Sequence, residues 1–273
     1  MTNLSFPLKL VFLISVFISS FVFSQEQPKP FQKDPYFTPA TPQKNAAPAE
    51  KVKHIHSDEL RKDDKYEGNN YFVGNVQFSH QGSLLNADLV IVYEEQNFIK
   101  AIGNVKLQNA DGSVITADEM EYDGNTQKGI ARKNVVLTDP KGTVIKTETM
   151  YYDRISNQAY YNTGGTINDG KSTTYSKSGT YYLATRTIDL TGRVKIEDNQ
   201  YTLEGDNVVQ NQNTNIVNIN GPTTIINKKI RRTVSLPTKG TIIRTQRRLF
   251  FIRTPEFIIM TRSLPAMKCT ITS

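Results

Sequence analysis

Phe72-Val-Gly-Asn-Val-Gln-Phe78 is the stretch that decides the fold of this 273-residue chain, because the sequence repeats it at a nearly constant spacing. It returns as Ala101-Ile-Gly-Asn-Val-Lys-Leu107 and as Ala131-Arg-Lys-Asn-Val-Val-Leu137, and a weaker copy covers residues 189–196. The equivalent valines are separated by 29, 30 and 59 residues, the last gap being two steps with a degenerate copy near Gly164-Gly165-Thr166. A fixed period of this size predicts an array of stacked repeats, because one unit cannot bury its apolar face alone.

A second motif recurs with the same period. It reads Ala87-Asp88, then Thr116-Ala-Asp-Glu-Met-Glu-Tyr-Asp123, then Thr147-Glu-Thr-Met-Tyr-Tyr-Asp153. Within it, Ala117 and Met120 differ in parity, so a strand places them on opposite faces unless a bulge intervenes. The sequence leaves both arrangements open.

The composition favours strands throughout the repeats. Thirteen Tyr and thirteen Phe, with many Val, Ile and Thr, suit a pleated surface. Turn signals such as Asp111-Gly112 and Asp139-Pro-Lys-Gly142 separate short segments, and no stretch shows ten residues of helical periodicity. We therefore predict an all-β, elongated repeat domain over residues 53–227.

Alternation along the first motif predicts which side chains face inward, because successive side chains of a strand point to opposite faces. The opposite face carries Asn75, Gln77, Asn104, Lys106, Asn134 and Val136. The predicted inner face carries Phe72, Gly74, Val76 and Phe78, then Ala101, Gly103, Val105 and Leu107, then Ala131, Lys133, Val135 and Leu137.

The N-terminus reads as an export signal followed by a tether. Lys9 precedes an apolar run at residues 10–23, which suits a signal peptide of residues 1–24 and is short for a membrane span. An uncleaved anchor is the alternative, and both imply export. Six of the twelve prolines lie between positions 25 and 50. Residues 25–52 are therefore predicted to be a disordered linker. The single cysteine, Cys269, offers no disulfide framework.

Charge separates the C-terminal segment from the repeats. From Lys228 onward there are eleven Lys or Arg residues and one acid, Glu256, whereas residues 1–227 carry a net charge of −3. The repeats therefore lack the basic stripe of a nucleic-acid-binding protein, and no nucleic-acid partner is expected. Residues 228–273 are predicted to be a disordered basic tail.

A shifted reading frame is a second interpretation of this tail. In the frame that joins the last base of each codon to the first two of the next, Met260-Thr261 forces Asp and Met267-Lys268 forces Glu. With suitable synonymous codons, the shifted reading frame encodes Thr-Gly-Asp-Glu-Met-Tyr-Tyr-Asn, which is similar in sequence to residues 116–123. On this interpretation the tail is a frameshift product and the chain is a piece of a longer array.

The sequence offers no persuasive catalytic or metal site. His54, His56 and Asp58 share a face of an extended segment, but no fourth ligand is evident, so a solvated strand start is the preferred interpretation. His80 stands alone before a turn, and the repeated Asp of the second motif is assigned to turns or edges. We predict no enzyme activity, no catalytic residues, no metal and no cofactor.

Together, the export signal, the Gly-Asn-Val motif and the Ala-Asp-x-Met-x-Tyr-Asp motif resemble the OstA-like family. This family includes relatives of the periplasmic lipopolysaccharide-transport protein A and of the periplasmic domain of the outer-membrane lipopolysaccharide translocon. The resemblance covers residues 53–227. It implies a β-jellyroll (a β-taco, solenoid-like in its repeats) whose apolar interior holds the acyl chains of lipid A.

The resemblance also implies partners and a location. Lipopolysaccharide would be the cargo, and edge strands would join the chain to other OstA-like proteins, to the translocon, or head to tail to itself. The protein would act in the periplasm, free or associated with the outer membrane.

The expected lipid-binding residues are Phe72, Val76, Phe78, Val105, Leu107, Met120, Val135, Leu137, Met150, Val194 and Ile196. Met120 and Met150 are included although the parity of the second motif leaves open which face of the sheet they occupy.

A structural or adhesive β-solenoid at the cell surface is the alternative from another functional class. It shares the repeat period and the export signal. The interior distinguishes the two hypotheses, because a solenoid closes its core whereas a lipid carrier keeps an apolar slot.

Overall fold

The computed structural model describes residues 50–62, 69–236, 240–244, 249–253 and 257–260. All of them belong to one compact unit. The predicted signal peptide and all of the predicted linker before residue 50 lie outside the described residues. Within this described part, the chain contains no helix long and apolar enough to cross a membrane.

The all-β prediction is confirmed, since the described residues form twenty strands of one antiparallel sheet. The strands are β1 Lys53–His56, β2 Glu59–Lys62, β3 Asn70–His80, β4 Ser83–Tyr93, β5 Phe98–Gln108, β6 Val114–Asp123, β7 Lys128–Thr138, β8 Val144–Asp153, β9 Gln158–Tyr161, β10 Gly165–Asn168, β11 Thr173–Ser176, β12 Ser178–Tyr182, β13 Thr187–Glu197, β14 Tyr201–Asn211, β15 Ile216–Ile219, β16 Thr223–Asn227, β17 Arg232–Leu236, β18 Gly240–Arg244, β19 Leu249–Arg253 and β20 Phe257–Met260.

The repeated Gly-Asn-Val motif and its weaker copies form a β-bulge in the middle of four long strands, β3, β5, β7 and β13. In β3, Gly74 and Asn75 lie opposite the single residue Asp88 of β4, with φ angles of 77° and 47°. Glycine adopts this left-handed region without penalty and asparagine tolerates it better than most residues, which explains why the motif pairs them. The same pair of positive φ angles recurs at Gly103 with Asn104, Lys133 with Asn134, and Gly192 with Arg193.

The bulges divide the sheet into two wings. Wing 1 contains β2, β9, β12, β15 and β18 with its neighbours β19 and β20, and wing 2 contains β1, β10, β11, β16 and β17. The long strands β3–β8, β13 and β14 contribute one part to each wing. β8 shows the division, because its end at Asp153 pairs with β9 while its start at Val144 pairs with β10.

The inner faces of the two wings supply one hydrophobic core. Because each strand pairs in register with the next, inward side chains align in rows across the strands. In wing 2 one row is Phe78, Leu85, Leu107, Ile115, Leu137, Ile145 and Ile167. In wing 1 one row is Phe72, Val90, Ala101, Met120, Ala131 and Met150.

The prediction of the inner face is wrong at one position of each copy of the motif, the first residue of the bulge. Lys133, which alternation places inward, is exposed and forms an ion pair with Glu119 at 2.6 Å. Gly74 and Gly103 likewise lie outside the buried core, because both residues of each bulge leave the alternation. The open question about Ala117 and Met120 is also settled. Both are buried, at 6% and 3% exposure, because the bulge at Gly103 and Asn104 lies opposite Asp118 and breaks the alternation between them.

The sheet continues past its predicted end at Asn227. β17 pairs with β16 and β18 pairs with β15, and Leu236 and Ile242 are buried. The prediction of a disordered segment is therefore wrong for the described part of residues 228–273. Apolar and polar residues alternate at positions 233–236, and this strand signal outweighs the basic composition. The frameshift hypothesis concerns the origin of these residues and stays a prediction.

Candidate functional site

The predicted lining residues all lie together in the core between the wings. None is more than 9% exposed, and the single cluster contains Phe72, Val76, Phe78, Val105, Leu107, Met120, Val135, Leu137, Met150, Val194 and Ile196. Their outward neighbours Asn104 and Lys106 are exposed. The alternation rule thus located an apolar interior, and its capacity to bind lipid stays a prediction.

The interior between the wings is closed at its N-terminal end. A cavity of about 20 Å³ lies between the wings, lined by apolar side chains that include Phe78, Leu107 and Met120. This volume holds about one water molecule. A second cavity of about 180 Å³ adjoins it, lined by Phe72, Phe98 and others. An acyl chain therefore needs the wings or their cover to move.

Polar side chains join the wings at the mouth, which we define as the side opposite the bulges, where the strand ends and turns of the two wings meet. His80 of wing 2 and Tyr122 of wing 1 are hydrogen-bonded between Nδ1 and the hydroxyl at 2.8 Å. His80 is 6% exposed, so this histidine is a buried cross-wing contact. The sequence, which showed only an isolated histidine before a turn, carried no signal for it.

The tightest contact across the mouth centres on Asp139. Its Oδ2 accepts hydrogen bonds from the Tyr181 hydroxyl at 2.5 Å and from Arg186 Nε at 2.9 Å. The Asp139 side chain is 3% exposed and that of Arg186 is 15% exposed. Burial alone would raise the pKa of the Asp139 carboxyl, but the hydrogen bonds from Tyr181 and the Thr143 N–H, with the charge of Arg186, hold that pKa below its ordinary value.

A second arginine crosses the mouth nearer the N-terminus. Arg154, which follows β8, donates to Gln81 Oε1 at 2.5 Å and to the Gln81 carbonyl at 2.6 Å. It also donates to Gln127 Oε1 at 2.7 Å. Beneath it, burial raises the pKa of the Tyr122 and Tyr152 hydroxyls, which keeps these phenols neutral.

Residues 50–52, which we call the strap, cover the mouth beside Arg154. The Glu50 carbonyl accepts hydrogen bonds from His80 Nε2 at 2.9 Å and from Asn97 Nδ2 at 3.2 Å, and the Val52 N–H donates to Asn97 Oδ1 at 3.1 Å. Val52 is half-buried against the core. The repeat domain therefore includes at least three residues before its predicted start at Lys53.

The repeated aspartates fasten the bulges. In three of the four bulges described above, the asparagine Nδ2 donates to a carboxylate of the neighbouring strand or, for Asn75, of the connection between β1 and β2. This pairing explains why the two motifs keep one period. The pairs are Asn75 with Asp58 at 3.0 Å, Asn104 with Asp88 at 2.8 Å, and Asn134 with Asp118 at 2.9 Å. These aspartates are structural, and the sequence had placed them only loosely at turns or edges.

The histidines at the N-terminal edge do not form a metal cluster in the described residues. His54 stacks on Phe72 with ring centroids 4.4 Å apart, and His56 Nε2 lies 3.5 Å from Asp58 Oδ1. β1, which contains both histidines, and the following β2 form an open edge of the sheet. β1 and β2 pair only with β3 among the described strands, and they expose Ile55 and Leu60.

These features define a class of protein: a β-repeat protein whose two wings enclose an apolar interior, with bulges along one side and a polar mouth along the other. A family model for OstA-like protein matches residues 49–206, which is more than half of the chain. The chain therefore belongs to the OstA-like family, and the resemblance seen in the motifs is confirmed.

One solved structure is similar to this chain at low sequence identity. A solved structure of LptH from Pseudomonas aeruginosa, described as the LptA-homologous periplasmic component of the lipopolysaccharide transport device, is similar at 18% identity and a TM-score of 0.37. The match covers 50% of this chain and 99% of that chain. This similarity is too low to assign a function. No curated protein matches the sequence.

Proposed function

We propose that this protein is a periplasmic, lipopolysaccharide-binding component of a bridge that carries lipid A acyl chains toward the outer membrane. The observation that supports it most is the continuous apolar row on the inner face of each wing, in a chain of the OstA-like family. The role is passive. The lining offers a dry surface, and no bond is made or broken.

The magnitude of the hydrophobic effect explains why such a lining is useful. Each acyl methylene that moves from water into an apolar environment gains about 0.8 kcal/mol. A chain of roughly a dozen carbons therefore gains on the order of 10 kcal/mol. A lipid cannot pass through an aqueous compartment against this cost, whereas an apolar interior that spans the distance removes it.

The polar mouth offers a way in without breaking the sheet. The wings are continuous with each other through the bulged strands, while across the mouth they meet through side-chain contacts such as His80 with Tyr122 and Arg154 with Gln81. When acyl chains replace contacts between the wings, the lining side chains stay in apolar surroundings. The cost of opening is then mainly the loss of the polar contacts.

The open edge at β1 and β2 fits the assembly part of the proposal. An unpaired edge with exposed Ile55 and Leu60 can accept a strand from another chain. We propose other OstA-like proteins, the outer-membrane translocon, or a second copy of this chain as the source of that strand. Joined edges would continue the apolar row from one protein into the next.

The closed interior favours the alternative, a structural or adhesive β-solenoid without lipid cargo. The lining side chains are buried and fill most of the space between the wings. The two functions therefore differ in whether the interior opens for a lipid, and a test must probe the interior directly.

Photo-crosslinking provides this test. A photoreactive amino acid at Val105 or Val135, both 1% exposed, is expected to capture lipopolysaccharide in the periplasm. The same amino acid at the outward Lys106 or Val136 is expected to capture little, because these side chains lie on the other face of the same strands. The measurement is the yield of the lipopolysaccharide adduct.

The neighbouring outward positions are matched controls, since each lies one residue from a lining position. Equal labelling of both faces, or labelling of neither, would support the solenoid and contradict the proposal. Circular dichroism of each variant verifies that the sheet is intact, so that a lost adduct reports the interior rather than the fold.

A further inference from the structure

Two arginines reach across the mouth, and they differ in what neutralises them. Arg186 faces the buried carboxylate of Asp139. Arg154 donates only to the amide and carbonyl oxygens of Gln81 and Gln127, and no carboxylate of the described residues forms an ion pair with it. Neutral acceptors can be exchanged for an oxyanion, which forms stronger, charge-assisted hydrogen bonds with a guanidinium.

An apolar space lies directly beside Arg154. This arginine lines the 20 Å³ cavity together with Phe78 and Met120. The 180 Å³ cavity next to it is lined by apolar side chains such as Phe72 and Phe98, together with the polar side chains of Lys51, His54, Glu94 and Asn97. Val52 of the strap lines both cavities, so displacement of Val52 would join them into one apolar slot with a cation at its end.

The strap itself has the chemistry of a ligand for this slot. Val52 supplies the apolar group that lines both cavities. The exposed Glu50 carboxylate forms an ion pair with Lys53 at 2.8 Å and is also influenced by the charge of Arg154. The pKa of Glu50 is lowered first by its hydrogen bond and ion pair with Lys53, and then by the charges of His80 and Arg154. Three hydrogen bonds to Asn97 and His80 hold the strap, and these are weak enough to exchange.

We infer that the strap covers a binding site for an anionic amphiphile, with a phosphate headgroup on Arg154 and an acyl chain in the slot that Val52 fills. This inference rests on the proposed function. It adds which end of the interior admits the ligand, which side chain selects its headgroup, and which segment of the chain must leave.

Isothermal titration calorimetry with decyl phosphate, below its critical micelle concentration, tests the headgroup site. The protein is expected to bind decyl phosphate at least about tenfold more tightly than the uncharged 1-decanol, because a charge-assisted hydrogen bond accompanies the chain. Arg154→Gln should abolish this preference and leave the affinity for 1-decanol unchanged. Lys141→Gln removes another cation of the mouth, whose ammonium group donates to Asn213 Oδ1, and should bind like the unmodified protein.

A substitution in the strap is expected to have the opposite effect, a gain of affinity for decyl phosphate. Val52→Ser weakens the contact of the strap with the apolar slot, so it should tighten the binding of decyl phosphate severalfold, because strap and ligand compete. Damage to the fold cannot explain a gain of affinity. If Val52→Ser binds decyl phosphate no more tightly than the unmodified protein, the strap does not cover the site.

The remaining outcomes separate this inference from the proposed function. Equal affinity for decyl phosphate and 1-decanol would overturn the headgroup site and leave the apolar slot in place. Sodium phosphate that binds as tightly as decyl phosphate would indicate a site for free anions and overturn the amphiphile. Failure of both decyl compounds to bind would overturn the slot itself, and lipopolysaccharide capture at Val135 would then decide the proposed function independently.

Discussion

Replacing Asp139 by alanine is expected to lower the free energy of unfolding by about 3–5 kcal/mol, a large share of the total for a domain of this kind. The substitution leaves the buried Tyr181 hydroxyl without its acceptor. It also removes the carboxylate that faces the mostly buried Arg186 guanidinium, which then keeps only neutral acceptors such as Thr143 Oγ1 and Gln212 Oε1 among the described residues. Removal of one partner of a buried ion pair costs more than the pair contributes, because the other charge stays desolvated. Urea denaturation measures the loss.

Asp111 provides a matched control, because it lies in the β5–β6 turn, which is the equivalent of the β7–β8 turn one repeat earlier. Asp111 Oδ1 accepts the N–H of Ser113, and Asp139 Oδ1 accepts the N–H groups of Lys141 and Thr143. Only Asp139 also reaches across the mouth through Oδ2. Asp111→Ala should therefore cost about 1 kcal/mol. Equal losses for the two variants would show that the cross-wing contact contributes nothing.

The contribution of Asp139 should depend on pH in a defined direction. The pKa of its carboxyl is lower in the folded protein than in the unfolded chain, where it lies near 3.9. The stabilisation is then fully present above about pH 4 and is lost as the pH falls through the folded pKa. The difference in stability between the unmodified protein and Asp139→Asn should accordingly be constant at neutral pH and shrink in acid.

The repeat period and the alternation of side chains along each strand predict much of the fold and of the apolar lining from the sequence alone. Val76, Val105 and Val135 were located correctly because a strand has a strict period of two and one face must be buried. Lys133 was misplaced for a local reason: the bulge is an extra residue, and alternation fails across it. The positive φ that produces the bulge is encoded by Gly-Asn, a signal that is also common in ordinary turns.

The side-chain contacts across the mouth could not be predicted from the sequence, for a different reason. The contact of Asp139 with Arg186 joins residues 47 apart in sequence, and that of Gln81 with Arg154 joins residues 73 apart. Their partners are fixed by how far the wings bend toward each other, and no periodicity records that angle. The strands after Asn227 were missed because net charge was given more weight than the short alternation at residues 233–236.

Leu137→Ala is expected to destabilise the protein by about 3 kcal/mol, whereas Val136→Ala, one residue away, should cost less than about 1 kcal/mol. Leu137 is fully buried in the wing 2 row, and Val136 lies on the outer face. Truncation of a packed leucine removes its transfer free energy and leaves a cavity. Equal, small losses in urea denaturation would mean that the interior is already loose in solution.

The same pair of variants bears on how lipid enters. Leu137→Ala weakens the packing between the wings but keeps an apolar lining, so the closed state loses stability relative to one opened by acyl chains. If lipid and wing contacts compete for the interior, capture of lipopolysaccharide at Val105 should be maintained or increased in Leu137→Ala, provided the variant is folded. A marked decrease in adduct, with the sheet intact, would mean that lipopolysaccharide recognises the shape of the closed interior, and the opening of the mouth would then be excluded as the route of entry.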